Sequence, residues 1–189
     1  MSFRFAPHEL AGVVLIEETR RGDARGFFAE TFKESVFRAA GIPGPFVQDN
    51  HARSARGVLR GLHYQLPPKA QGKLIRVVRG EVFDVAVDLR RGSPTFGGWA
   101  GVHLSGDEPR MLWVPAGFAH GYVVLSESAD FTYKVTAEYD GALERGVRWD
   151  DPAIGVAWPG GAPILSDRDV LLPPLAEAEN PFVFPGARP

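Results

Sequence analysis

Between Val13 and about Val135 the chain runs in short apolar, β-branched or aromatic stretches broken by glycine and proline. They are VVLIEET (13–19), FFAETF (27–32), VLRGLHY (58–64), GKLIRVV (72–78), EVFDVAVDL (81–89), MLWVP (111–115), GYVVL (121–125) and DFTYKVT (130–136). Runs of five to nine residues bounded by turn formers predict strands. Alternation within them assigns faces. In EVFDVAVDL, Phe83, Val85, Val87 and Leu89 share one side, and Val82, Asp84, Ala86 and Asp88 share the other. The first side is wholly apolar and the second carries two carboxylates. Phe131, Tyr133 and Val135 fall opposite Thr132, Lys134 and Thr136, which turns Tyr133 inward with a hydroxyl in need of a partner. Only Lys33 to Ala40, closed by Gly41 and Pro43, predicts a helix.

Composition extends this picture. The 22 Gly and 16 Pro make up about one residue in five, which suits many short strands joined by tight turns. The expectation is a mainly β protein, a closed or two-layered antiparallel barrel with few helices. With 189 residues, 44% of them hydrophobic, the chain can bury one sizeable core. No repeat, charge block or linker divides it, so residues 1–189 are expected to form one domain. Its body runs from about 13 to 175, and a C-terminal tail from about 176 to 189 matches no assignable pattern.

Charge and cysteine usage narrow the function. Twenty-one Lys and Arg against 23 Asp and Glu give a net charge of -2, which offers no basic field for nucleic acid or anionic lipid. An anionic ligand must therefore be caught locally. With no cysteine there is no disulfide, thiolate metal site or cysteine nucleophile, and a reducing compartment is favoured. The apolar run from Leu10 to Ile16 is too short to span a bilayer. Glu17, Glu18, Arg20 and Arg21 follow it where a signal peptide would carry small residues. A cytoplasmic location is expected.

Three histidines stand in suggestive settings: His51 in QDNHARSARG, His63 in LRGLHYQ and His120 in PAGFAHGY. The pattern of Pro115, Gly117 and His120 resembles the second motif of the cupin superfamily, small β-barrels that often hold a metal. Metal-binding cupins usually add a His-x-His on an earlier strand, and here that strand reads His63-Tyr64-Gln65. The second histidine is missing, so neither a His-rich metal site nor a cofactor is expected.

Taken together, LRGLHYQ, AQGKL, GEVFDVAVDLR, SPTFG, PAGFAHGY and the YK of Tyr133-Lys134 resemble one cupin branch, the dTDP-4-dehydrorhamnose 3,5-epimerase family. The likeness runs from Asp23 in GDARGFFAETF through FVQDN to LSDRD near Asp169, most of the chain. It implies a cupin-type jelly-roll β-barrel acting on dTDP-4-keto-6-deoxyglucose. The ketone of that sugar acidifies the protons on both neighbouring carbons, and epimerisation removes a proton from one face of the ring and returns one to the other. Such chemistry needs a base, a donor where enolate charge develops, and an acid opposite the base.

By the resemblance, His63 is the base, Asp169 the carboxylate that orients it, Lys73 the group beside the enolate oxygen and Tyr133 the acid. His120 and Asp84 would form a buried polar pair that binds or supports, with His120 counted among the substrate-binding residues. No Walker-type loop or Rossmann fingerprint is present to hold the diphosphate, so arginine forks must do so. The family positions correspond to Arg25, Arg60 and Arg168. Glu30, Gln48, Asp49, Asn50 and Glu144 are further matched polar positions, and Tyr139 is a platform for thymine. Arg53 and Arg56 read as ordinary surface residues. Some family members are dimers in which an N-terminal strand crosses over, which implies a homodimer with Arg25 and Glu30 serving the neighbouring subunit.

Alternation sets one demand. It puts Arg60 and His63 on opposite faces of a single strand, so both reach one ligand only if the strand bends or bulges, with Gly61 the candidate place. Other activities fit less of the sequence. A mono-epimerase would invert one carbon, a ketoisomerase would need a group on only one face, a metal-dependent cupin would need the absent histidine, and a non-catalytic binding module would be expected to have lost the base or the acid.

Overall fold

The structure, a computed structural model, describes residues 2–185. Its elements are β1 (Phe3–Pro7), β2 (Val14–Glu18), β3 (Arg20–Asp23), β4 (Gly26–Ala29), α1 (Glu34–Ala39), β5 (Gln48–Ala55), β6 (Leu59–Gln65) and β7 (Lys73–Arg79), followed by β8 (Glu81–Asp88), β9 (Trp99–Ser105), β10 (Arg110–Val114), β11 (Phe118–Val124), β12 (Ser128–Val135), β13 (Glu144–Gly146) and α2 (Asp167–Val170). A six-stranded sheet has the order β1-β2-β10-β7-β12-β5 and a five-stranded sheet the order β13-β6-β11-β8-β9. Every pairing between these strands is antiparallel. The strands β3 and β4 form a separate hairpin.

The alternation read from the sequence decides how the layers stack. Ile75, Val77, Leu112, Val114 and Phe131 of the first sheet meet Val82, Ala86, Leu104, Phe118 and Val124 of the second in one buried layer. The opposite faces are covered as well. Phe83, Val85, Val87 and Leu89 pack outward beneath the C-terminal segment, which contributes Ile154, Trp158, Leu175 and Phe182. On the outside of the six-stranded sheet, Ile16, Leu74, Met111 and Trp113 lie under Phe3, Phe37 of α1 and Ile42. Because both faces of β8 are buried, Asp88 needs full satisfaction. It accepts bonds from the Arg90 backbone and guanidinium and from the Ser93 and Thr95 hydroxyls, at 2.6 to 2.9 Å.

Several elements differ from expectation. The strand foreseen over 27–32 ends at Ala29 as one arm of the β3–β4 hairpin, so Glu30 to Phe32 lie outside it. The strands β1, β3, β5, β9 and β13 and the short helix α2 were not foreseen. Residues 176–185 of the expected tail are strapped to the outside of the five-stranded sheet. Tyr64 Oη donates to the Glu179 carbonyl at 2.6 Å, Asn180 Nδ2 donates to the Leu89 carbonyl at 2.5 Å, and the Arg90 guanidinium lies over the rings of Phe118 and Phe184. Positions 186–189 of that tail lie outside the described residues.

The demand on Gly61 is met. Along the β6–β11 ladder His63 stands opposite His120 and Arg60 opposite Tyr122, so three steps on one strand match two on the other. That extra residue is a bulge, and it turns both Arg60 and His63 to the same side. Gly61 has φ +135°, and a Cβ there would sit 2.6 Å from the Gly121 Cα, so only glycine fits.

Candidate active site

Where the two sheets part, a cavity of about 300 Å³ opens. His63 and Arg60 reach it from β6 and His120 and Tyr122 from β11, all on the five-stranded sheet. Lys73 of β7 with Phe131 and Tyr133 of β12 line it from the six-stranded sheet, and Glu144, Ser166, Arg168 and Asp169 border it at the α2 side. The walls therefore come from different sheets.

His63 and Asp169, the expected base and its carboxylate, are in direct contact. His63 Nε2 lies 2.6 Å from Asp169 Oδ1. Ser166, not Asp169, caps α2: its hydroxyl accepts the Asp169 backbone N–H at 3.1 Å, leaving that carboxylate for the histidine. Burial, the largest influence on Asp169, pushes its carboxyl up. The hydrogen bond and charge of His63, with the Ser166 and Gly61 contacts, outweigh burial and hold it below the ordinary value. An ionised carboxylate only accepts, so the proton between them belongs to Nε2, and in the neutral ring the lone pair is on Nδ1.

Lys73 is buried, and its ammonium donates to the His63 carbonyl at 3.3 Å. Burial pulls its pKa down to about 8 against the opposing pull of Glu144 and Asp84. His120 and fully buried Asp84 form the expected pair, with Nε2 2.9 and 3.1 Å from the carboxylate oxygens. Burial lowers the His120 pKa despite Asp84 and so favours the neutral ring. Tyr133 points inward as alternation requires, but its hydroxyl finds no partner among the described residues. Burial, reinforced by Tyr122 and Glu144, raises its pKa and keeps it protonated.

At the mouth, Glu144 Oε2 accepts from Tyr139 Oη and Arg168 Nη1, each at 2.5 Å. Gln48 and Asn50 share the inward face of β5 with Tyr133. Gln48 donates to Asn50 Oδ1 at 2.8 Å and accepts the Tyr139 backbone N–H at 2.8 Å. Asp49 lies on the other face of that strand, where it pairs with Lys134 at 2.8 Å beside an outer cleft. One step along a strand reverses the side chain, so the structure does not bring Asp49 to this cavity. Nor does it bring Arg25 or Glu30 there from within the chain: exposed Arg25 is bonded to Asp23 in the β3–β4 hairpin, and Glu30 follows that hairpin.

Tyr122 and Phe131 line the cavity without having been singled out as site residues. The signal for Tyr122 was available, since it stands two residues beyond His120 on one strand. The donor set does not suit a metal of the cupin kind. Among the described residues no cluster of three metal-ligating side chains occurs.

Comparison with known proteins agrees with this geometry. Residues 7–177 match the dTDP-4-dehydrorhamnose 3,5-epimerase family pattern. The Pseudomonas aeruginosa dTDP-4-dehydrorhamnose 3,5-epimerase is 56% identical over 169 residues, covering 88% of this chain and 93% of that protein. The Shigella flexneri enzyme of the same name is 55% identical over 163 residues, covering 86% and 90%. Among solved structures, the dTDP-6-deoxy-D-glucose-3,5-epimerase of Legionella pneumophila, in complex with dTDP-4-keto-L-rhamnose, superposes with a TM-score of 0.93. It is 45% identical, covering 96% of this chain and 99% of that one. The barrel is thus of the cupin type, and with matches of this extent the chain belongs to the dTDP-4-dehydrorhamnose 3,5-epimerase family.

Proposed function

We propose that this cavity inverts carbons 3 and 5 of dTDP-4-keto-6-deoxy-D-glucose to give dTDP-4-dehydro-L-rhamnose. His63 is the base, Asp169 its orienter, Lys73 the enolate stabiliser and Tyr133 the acid. The activity is an isomerase reaction in which proton removal and return leave the formula of the sugar unchanged. Nδ1 of His63 takes the proton from a carbon beside the ketone, the electron pair of that C–H bond flows to the carbonyl oxygen, and Asp169 stabilises the imidazolium. The Lys73 ammonium supports the oxygen as it gains charge. Tyr133 then donates its proton to the same carbon from the opposite face, and the enolate collapses to the ketone. Exchange with solvent returns His63 and Tyr133 to their starting states before the second carbon reacts.

The observation that carries this reading is the placement of base and acid on facing sheets, His63 from one and Tyr133 from the other, in a single cavity. Inversion requires groups on two faces, whereas a carbonyl shift does not. For the nucleotide we assign Arg60 and Arg168 to the diphosphate, Tyr139 to thymine, and Gln48, Asn50 and Glu144 to polar contacts. Arg25 and Glu30 are assigned to the neighbour's cavity in a homodimer. In support, the β3–β4 hairpin leaves two large apolar rings, Phe27 and Phe28, 59% and 74% exposed. We assign the whole chain to one domain, with no nucleic-acid or membrane partner and a cytoplasmic location. Among the described residues no helix is long and apolar enough to cross a membrane.

Proton NMR of the keto sugar in deuterated water tests the reaction. Loss of the signals at both carbons 3 and 5, with the L-rhamno product, is expected; loss of one signal would replace this reading with mono-epimerisation. His63→Asn should cut both exchanges by about 100-fold or more while dTDP still binds. Normal turnover in that variant would remove His63 from the mechanism. Light scattering checks the dimer, and a monomer would return Arg25 and Glu30 to the surface.

A further inference from the structure

Two buried side-chain atoms lack a hydrogen-bond partner among the described residues, Glu18 Oε2 and the Tyr122 hydroxyl. For Glu18 the neighbouring oxygen already takes Arg20 and Arg76. The Tyr122 hydroxyl, in the wall of the cavity, has Ser54 and Arg60 close enough to pull its pKa down, yet neither meets it in full hydrogen-bond geometry. An orphaned buried hydroxyl is disfavoured in a folded protein, so one retained at a ligand site calls for a reason.

Its surroundings supply one. The Tyr122 ring is 4% exposed and stacks on Phe131 with centroids 4.0 Å apart and planes within 9°, so its direction is fixed. Directly across the ladder stands Arg60. The guanidinium of Arg60 has donors to spare: its Nε donates to Ser54 Oγ at 3.0 Å, and its terminal nitrogens make no bond to the described residues. Burial, the largest influence, raises the Tyr122 pKa while Ser54 and Arg60 pull against it, so the phenol stays protonated beside both. A phenol oxygen next to an arginine with free N–H groups is an acceptor awaiting a donor.

We propose that Tyr122 is a positioning residue for Arg60: its hydroxyl accepts a second guanidinium N–H and, with Ser54, aims the remaining donors at the substrate's diphosphate. The inference rests on the assignment of Arg60 to that diphosphate. An arginine held at two points presents a pre-aligned fork, so less side-chain freedom is lost when the anion binds.

The test is calorimetric titration with dTDP and steady-state kinetics on the full-length protein, comparing the parent, Tyr122→Phe, Arg60→Ala and the double variant. Tyr122→Phe should raise the dTDP Kd and the KM roughly three- to tenfold, the worth of one hydrogen bond, with KM changing more than kcat. Arg60→Ala should raise the Kd by about ten- to a hundredfold. In the Arg60→Ala background the Phe substitution should add less than twofold, the non-additivity expected of a residue acting through another. Unchanged dTDP binding in Tyr122→Phe, or the same penalty with and without Arg60, would each overturn the proposal. If only Arg60→Ala loses affinity, the diphosphate assignment stands and the role of Tyr122 falls. If Arg60→Ala binds dTDP normally, both fall.

Discussion

Replacing Lys73 with methionine should make the protein more stable and less active at once. The ammonium is buried, and its pKa falls from 10.5 to about 8 because burial disfavours the charged form. For a lysine depressed in this way the folded state binds fewer protons than the unfolded chain between those two values. The penalty is therefore full below about pH 8, shrinks as the pH rises, and vanishes above about 10.5. A fall of that size corresponds to on the order of 3 kcal/mol at pH 7 and about 1 kcal/mol at pH 9.5. Methionine fills nearly the same volume without the charge. Denaturant unfolding at equal protein concentration should show Lys73→Met more stable than the parent by up to these amounts, with the gap narrowing as pH rises. The same variant should lose about 100- to 1000-fold in kcat, the usual cost of removing a donor to a developing oxyanion. The parent's rate should decline as pH rises through about 8, where Lys73 gives up its proton. A gap equal at both pH values, or a methionine variant less stable at pH 7, would refute the reasoning.

Tyr133→Phe should retain solvent deuterium exchange, since His63 can return what it takes, yet accumulate little inverted product; NMR separates the two readouts, and normal epimer formation would remove Tyr133 as the acid. Asp169→Asn should lower kcat about 100-fold or more by releasing the tautomer of His63, with dTDP affinity retained. Because the Asp169 pKa is held below 3.8, the stability it contributes is present above about pH 4 and is lost as the carboxyl protonates. Acid titration of the Asn variant should accordingly show a shallower loss; an unchanged acid limb would contradict this. Gly61→Ala should cost a few kcal/mol by strain at φ +135° and collision with Gly121, measurable by denaturant unfolding, and parent-like stability would show that the bulge tolerates a side chain.

The strands that were legible in the sequence are those whose buried positions are apolar. EVFDVAVDL declared both its faces because Phe83, Val85 and Val87 repeat at the period of a strand, and Tyr133 was placed inward by the same rule. The strand Gln48–Ala55 was not foreseen because its inward positions are Gln48, Asn50, Ala52 and Ser54. A strand that lines a polar cavity loses the hydrophobic period that would reveal it. Gly101 hides Trp99–Ser105 similarly: a Cβ there would lie 2.2 Å from Phe83, so a strand breaker sits inside a strand for packing reasons. The pairing of His63 with Asp169 spans 106 residues, and no local pattern joins them. Only the resemblance to a family brought them together. Asp49 shows the converse limit: a contiguous motif, QDN, contains one residue that the strand turns away.

The division of the cavity between two sheets has a further consequence. Face-to-face sheets stand about 10 Å apart, a separation set by the side chains layered between them, here including Ile75, Val82 and Leu112. The gap between the proposed proton remover and proton donor is thus a thickness of the hydrophobic filling, adjustable from behind by residues that never line the cavity. Drift in that filling, by a methyl group here or a ring there, retunes which ring carbon lies within reach of both walls, leaving His63 and Tyr133 untouched. In such a barrel, selectivity between one inversion and two can evolve through the mortar while the bricks stay in place.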